Sequence, residues 1–204
     1  THMSWRTLAL FSGFAHLSVA QPGTIDALQG FRYRWSFNDA MDMSTADGLS
    51  FSEIELFDVS GEQLVIEQIS NPGGSSTLRE GAEYAVDNRT TTKFLDLNFG
   101  IANLTVVEVA LPISYTLGSY ILYTARDAPK RDPRSWTVDV CMSEAECQAG
   151  SWSLVQEVVG ADAPYARQTA YRTFWLVGPP PPSPPMPVYT LTITTVRNSN
   201  NGHG

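Results

Sequence analysis

The sequence predicts an all-β chain folded as an antiparallel β-sandwich, on three observations. Strand-like runs follow one another from Phe31 to Val177, turn-rich pieces separate them, and no helical period of any length interrupts them. "FRYRWSF" sets Phe31, Tyr33, Trp35 and Phe37 against Arg32, Arg34 and Ser36, the period of two of a half-buried strand. "FSEIELFDV", "EQLVIEQI", "KFLDLNF", "LTVVEVAL", "SYILYTA", "SWTVDVC", "WSLVQEVV" and "YRTFWLV" come next as further strands. "VSGE", "SNPGGSS", "SYTLGS" and "RDAPKRDP" read as the turns. Many short strands joined by turns close into a sandwich or barrel.

The flanks read differently. Residues 1–28 open with "THM", which looks like a cloning remnant. "MSWRTLALFSGFAHLSVAQ" then has the charge, apolar stretch and small-residue end of a signal peptide; a docking arm is the other reading. After the 29–178 region, "GPPPPSPPMP" has the composition of a stiff polyproline linker, spanning residues 179–187. Residues 188–204, "VYTLTITTVRNSNNGHG", read either as one more strand of the same sheet or as the start of a second repeat.

Composition narrows the function. A net charge of −8 opposes nucleic acid or an anionic membrane as the main partner, though membrane contact through apolar loop tips stays open. Cys141 and Cys147 in "CMSEAEC" have no histidine near them for a zinc site, so a local disulfide is expected. Closing so short a loop stabilises by roughly 2 kcal/mol and points to a secreted or lumenal protein. Sequons at Asn88 and Asn103 agree with that. His2, His16 and His203 all lie outside the strand-rich region, and no nucleophile elbow, P-loop or dinucleotide fingerprint occurs, so an enzyme is not expected. Glu53 and Glu55 share a strand face, but one ion ligand beside one solvated group explains them better than a glycosidase pair.

Three stretches carry a resemblance: "FSEIELFDVSG", "YAVDNRTTTKFLDLNFG" and "YTARDAPKRDPRSWTVDV". Together they resemble the discoidin superfamily, the galactose-binding-like domains that include the factor V/VIII C-type modules. The order resembles a circularly permuted subset, because the first stretch usually closes such domains. The resemblance implies a jelly roll with a ligand site in the loops at one end. It also implies a structural calcium held by Asp87, Thr92, Glu53 and backbone carbonyls around Ala85 and Arg89, hard oxygen donors on a tight turn. Asn88 stands where glycine is usual and Arg89 where a second acid is frequent. The same loop held by Asp87 capping amides, without metal, is the alternative.

Sugar recognition needs an aromatic platform and directional hydrogen-bonding groups. The candidates are Arg126, Asp127, Arg131, Arg134 and Tyr165, with Trp152 as a second platform or a core residue. In "RDAPKRDPRSW", Pro129 and Pro133 are expected to fix the turn, Arg131 and Asp132 to lock it, and Trp136 to anchor the next strand. The loop Gly160–Tyr171 is long enough to be functional or mobile. The reading is a non-catalytic module for a carbohydrate or glycoprotein, or else a scaffold subunit that binds protein partners in an extracellular or lumenal assembly.

Overall fold

The computed structural model describes residues 29–178; the signal-like segment 1–28, the linker 179–187 and the segment 188–204 lie outside them. The described chain is an antiparallel β-sandwich of nine strands: β1 (Gln29–Ala40), β2 (Leu49–Phe51), β3 (Glu53–Asp58), β4 (Gln68–Ser70), β5 (Phe94–Asp96), β6 (Thr105–Tyr123), β7 (Pro133–Cys141), β8 (Ser153–Val158) and β9 (Phe174–Trp175). One layer runs β4-β6-β1-β7-β8. The other uses the second half of β6, with β3 on one edge and β9 on the other, and β2 and β5 form a separate short ladder.

β1 lies at the centre because its apolar residues alternate. Tyr33, Trp35 and Phe37 are buried, while Arg32, Arg34 and Ser36 are only partly covered. The alternation then slips. The ladder to β7 shifts between Phe37 and Asp39 and again at Ala40, so Ala40 is the next residue to turn inward. Such a slip is a β-bulge, which bends the strand and re-aims the residues beyond it.

The expected turn at "SYTLGS" does not form. β6 runs unbroken for 19 residues. Against β1, its register jumps from Ala110 opposite Arg32 to Tyr115 opposite Gly30, and that irregularity takes up Leu111–Ser114. Exposed Pro112 falls there, where a missing N–H breaks no bond to β1. Gly118 lies where a Cβ would collide with the backbone of Asp58, so the strand passes close to β3 without a side chain. The sequence contains turn-forming residues here, but pairing on both sides outweighs them.

Other boundaries also differ from expectation. "FSEIELFDV" divides into β2 and β3, which belong to different ladders, and only Gln68–Ser70 of "EQLVIEQI" pairs as a strand. Among the described residues two short helices are present, α1 (Phe99–Ala102) and α2 (Glu144–Ala149). Ser143 caps α2 by accepting the Glu146 N–H, Glu146 accepts from the Met142 N–H, and Gly150 ends the helix in a left-handed conformation. Cys141 and Cys147 are joined in a disulfide that ties the end of β7 to this helix.

Aromatic rings bind the two layers. Trp35 of β1 meets Tyr120 of β6 edge-on at 5.4 Å, and Trp136 of β7 meets Phe174 of β9 at 5.0 Å. Trp136, buried as expected, donates its Nε1–H to the Tyr120 hydroxyl at 2.6 Å, and that hydroxyl donates to Gln156 at 2.8 Å. Removing the hydroxyl leaves a buried indole N–H without its acceptor, a loss of about 1–3 kcal/mol. Tyr120→Phe is therefore expected to lower stability by that amount in urea unfolding, although it removes a single oxygen.

Candidate functional site

Both candidate regions hang on the strand ends. The first begins where β3 opens with Glu53, whose side chain is buried with the residue only 3% exposed. One Glu53 oxygen accepts the Asn88 N–H at 3.3 Å and the other the Arg89 N–H at 3.1 Å. Asp87 accepts the Arg89 N–H at 3.0 Å, and Thr92 Oγ1 donates to Asp87 at 2.9 Å and to the Arg89 carbonyl at 2.7 Å. Asn88 makes this turn possible with a φ of 59°, a left-handed conformation that Asn tolerates better than most residues. Ala85 is buried at the end of a short 3-10 turn, Ala82–Ala85, just before it.

The loop thus brings Glu53, Asp87, Thr92 and the backbone of Arg89 together, as the sequence suggested. Its donors are all oxygen, which suits a hard cation. Among the described residues no group of three or more His, Cys, Asp or Glu side chains could hold a metal, so carbonyl and hydroxyl oxygens would complete any site here. The amide bonds to Glu53 and Asp87 also hold the loop together by themselves.

Burial raises the Glu53 carboxyl to about 7 from an ordinary 4.5; the two amide bonds oppose this and the charges of Asp87 and Glu55 add to it. Glu55 accepts the Tyr123 hydroxyl at 3.0 Å beside a cavity of about 300 Å³ that both glutamates line.

The second region is the loop end of the sandwich. Its arginines and aspartates pair, but not as expected. Arg131 grips Asp47 through two bonds of 2.8 and 2.9 Å, and Asp132 is held by Arg167 at 2.6 and 2.7 Å. The mutual lock of Arg131 and Asp132 is therefore replaced by two pairs that reach other loops. Asp127 accepts Lys93 at 2.7 and 2.9 Å, and Lys93, itself buried, also pairs with Glu80 at 3.3 Å. Lys130 bonds the Thr45 carbonyl at 2.7 Å and reaches Asp47 at 3.1 Å. Arg126 and Arg134 are at least half exposed and come no nearer than 3.8 Å to an acid, beyond a hydrogen bond. Hydrogen bonds from Arg131 and Lys130 hold Asp47 well below the usual carboxylate range. Burial pushes Asp132 up in spite of Arg167.

A cleft of about 650 Å³ opens here between the end of β1, the Pro129–Arg131 turn and the loop before β9. Met41, Pro129, Pro164 and Tyr165 give it an apolar lining, with Asp42 and the pairs at Lys130 and Arg167 around them. Tyr165 is fully exposed. Of the five predicted ligand residues only Tyr165 lines the cleft; Arg126, Asp127, Arg131 and Arg134 stand outside its lining. The sequence reading missed Met41 and Pro164 as lining and Arg167 as the partner of Asp132, because these contacts join segments far apart in the chain.

The long loop is tied down. Ala161 N–H bonds the Arg134 carbonyl, Gln168 donates to the Thr90 carbonyl, and Thr124 and Thr169 exchange backbone and side-chain bonds. Trp152 precedes β8, half-buried, with the Arg34 guanidinium 3.8 Å above its ring, so it is neither a deep core residue nor an open platform. Asn88 and Asn103 are both exposed. No family model, curated protein or solved structure matches the chain.

The carboxyl of Glu53 makes a signed prediction. The folded state keeps its proton up to about pH 7 while the unfolded chain releases it near 4.5, so stability falls as pH rises through that window. The full shift corresponds to about 3 kcal/mol. In chelator-containing buffer, wild type is expected to lose up to that much more than Glu53→Gln between pH 4.5 and 7.5, measured by urea unfolding. Parallel curves for the two proteins would refute it.

Proposed function

We propose that the protein is a non-catalytic binding module that recognises carbohydrate at the loop-end cleft. The observation that carries this reading is the fully exposed Tyr165 ring at the edge of a cleft whose charged neighbours already pair with one another. An exposed ring offers an apolar face on which the apolar face of a sugar can stack. Asp42, in the lining, supplies a directional acceptor for sugar hydroxyls. The resemblance to discoidin domains supports the same reading, because their ligand loops lie at one end of the sandwich.

Calcium at Glu53 and Asp87 belongs to this proposal. The two carboxylates, the Thr92 hydroxyl and the carbonyls of Ala85 and Arg89 would hold the ion, which would neutralise the negative charges of Asp87 and the buried Glu53. The disulfide supports a secreted or lumenal setting, and no helix among the described residues is long and apolar enough to cross a membrane.

Screening on a glycan array, with and without chelator, tests the reading. A neutral glycan is expected to bind, and Tyr165→Ala to weaken it about tenfold with an unchanged melting temperature. Calcium is expected to raise the melting temperature of wild type but not of Glu53→Gln. Absence of any glycan signal in both buffers would leave a scaffold subunit with protein partners as the better account.

A further inference from the structure

The two layers separate at one edge. β8 is the last strand of the first layer and β9 an edge of the second, and a cavity of about 320 Å³ opens between them. Residues 156–159 line it from one strand and residues 172–175 from the other, and none of them lines the loop-end cleft. The core holds this lining in place. Phe174 is buried, stacked on Tyr120 at 5.2 Å and edge-on to Trp136 at 5.0 Å. The Gln156 amide donates to the Trp175 carbonyl at 2.9 Å, while its side-chain oxygen accepts the Tyr120 hydroxyl at 2.8 Å, so the two edges are tied together. Trp175 follows Phe174 directly, and its exposed ring is presented from a fixed backbone.

Polar groups in the lining are left without partners. Arg172 is exposed, with its guanidinium carbon 5.5 Å from the centre of the Phe174 ring, and it forms no ion pair or hydrogen bond among the described residues. Among the same residues the Trp175 indole N–H has no acceptor, and the exposed Glu157 carboxylate has no donor. The loop-end cleft is the reverse case, because Lys130 and Arg167 are already engaged there. An anion would have to displace an existing pair in that cleft, whereas here Arg172 is free to take one.

These groups define a complementary ligand. The guanidinium fork takes a planar carboxylate through two parallel bonds. The Trp175 ring offers an apolar face to a sugar ring, and its N–H donates to a sugar oxygen. Glu157 accepts from hydroxyls and repels a second negative charge, and the net charge of −8 opposes a densely charged polyanion. One carboxylate on a ring of hydroxyls meets all of these requirements. We propose that the cavity between β8 and β9 is a second binding site, and that it takes a uronic acid, a sugar bearing a single carboxylate, through Arg172, Trp175 and Glu157. The site stands on its own residues and does not depend on the loop-end cleft binding sugar.

Methyl glycosides of glucuronic, galacturonic and mannuronic acid, each beside its neutral methyl ester, test the site. The readout is the Trp175 indole N–H resonance in the isotope-labelled full chain, identified by its absence from the spectrum of Trp175→Phe. At least one uronate is expected to shift that resonance saturably, with its ester and sodium acetate each at least about tenfold weaker. Arg172→Gln is expected to weaken uronate binding by a similar factor, and Arg172→Lys to recover little of it, because an ammonium lacks the fork. Melting temperatures within about 2 °C of wild type are expected for both variants. No saturable shift from any uronate, an ester or acetate that binds as well, or a folded Arg172→Gln that binds like wild type overturns the proposal. The ester and acetate comparisons are made on wild type, so they decide the matter whatever the variants do to folding. The resonance reports on this cavity alone, so an array on which no neutral glycan binds would sink the Tyr165 reading and leave this one standing.

Discussion

The fold depends on one strand serving two layers. The first half of β6 pairs with β1 and β4, and its second half with β3 and β9. The irregularity at Leu111–Ser114 lets the strand change layers without ending, and Gly118 lets it pass under β3. Tyr120 then faces back across the core to Trp35 and Trp136, so the strand that joins the layers also carries the ring that packs between them. β6 ends at Tyr123, directly before the charged loop, and β7 begins directly after it. The position of the loop end is thereby fixed by the core.

That loop end shows how charge can shape a surface without marking it as a charged site. Asp47–Arg131, Asp132–Arg167 and Asp127–Lys93 each connect segments distant in the chain. Removing Arg167 would strand the buried Asp132 carboxylate away from water, and such pairs persist for positioning more than for net stability. Here they hold the Pro129–Arg131 turn, the end of β1 and the loop carrying Tyr165 in fixed relation. What remains for a ligand is the apolar and aromatic surface between them.

Much of the core was legible in the sequence because burial there follows a local period. Tyr33, Trp35 and Phe37 are inward as their alternation requires, and Trp136 anchors β7. The α2 helix was not expected: "SEAE" before a glycine is a capping signal, but six residues are too few to display a helical period. The unbroken β6 was not, since a strand passing between layers tolerates Pro112 and Gly118, residues that elsewhere mark turns. Nor were the ion pairs. A loop rich in Arg and Asp invites local pairing, yet the short connection Ala128–Asp132 curls into a 3-10 turn that points Arg131 toward Asp47 and leaves Asp132 to Arg167. The Glu53 loop lies between these cases: its residues were identified together, but the two amides bonded to Glu53 depend on the turn at Asn88, which sequence chemistry permits without specifying.

The balance of charge at the cleft limits what it can prefer. Among the residues that line it, Lys130 and Arg167 are equalled in number by Asp42 and Asp132, although the whole chain carries a net charge of −8. The remaining acidity therefore lies elsewhere on the protein, and the cleft is close to neutral at the range over which salt leaves fields intact. An ionic ligand would have to displace bidentate pairs before gaining comparable ones, whereas a neutral ligand with an apolar face and hydroxyl groups can use Tyr165 and leave those pairs intact.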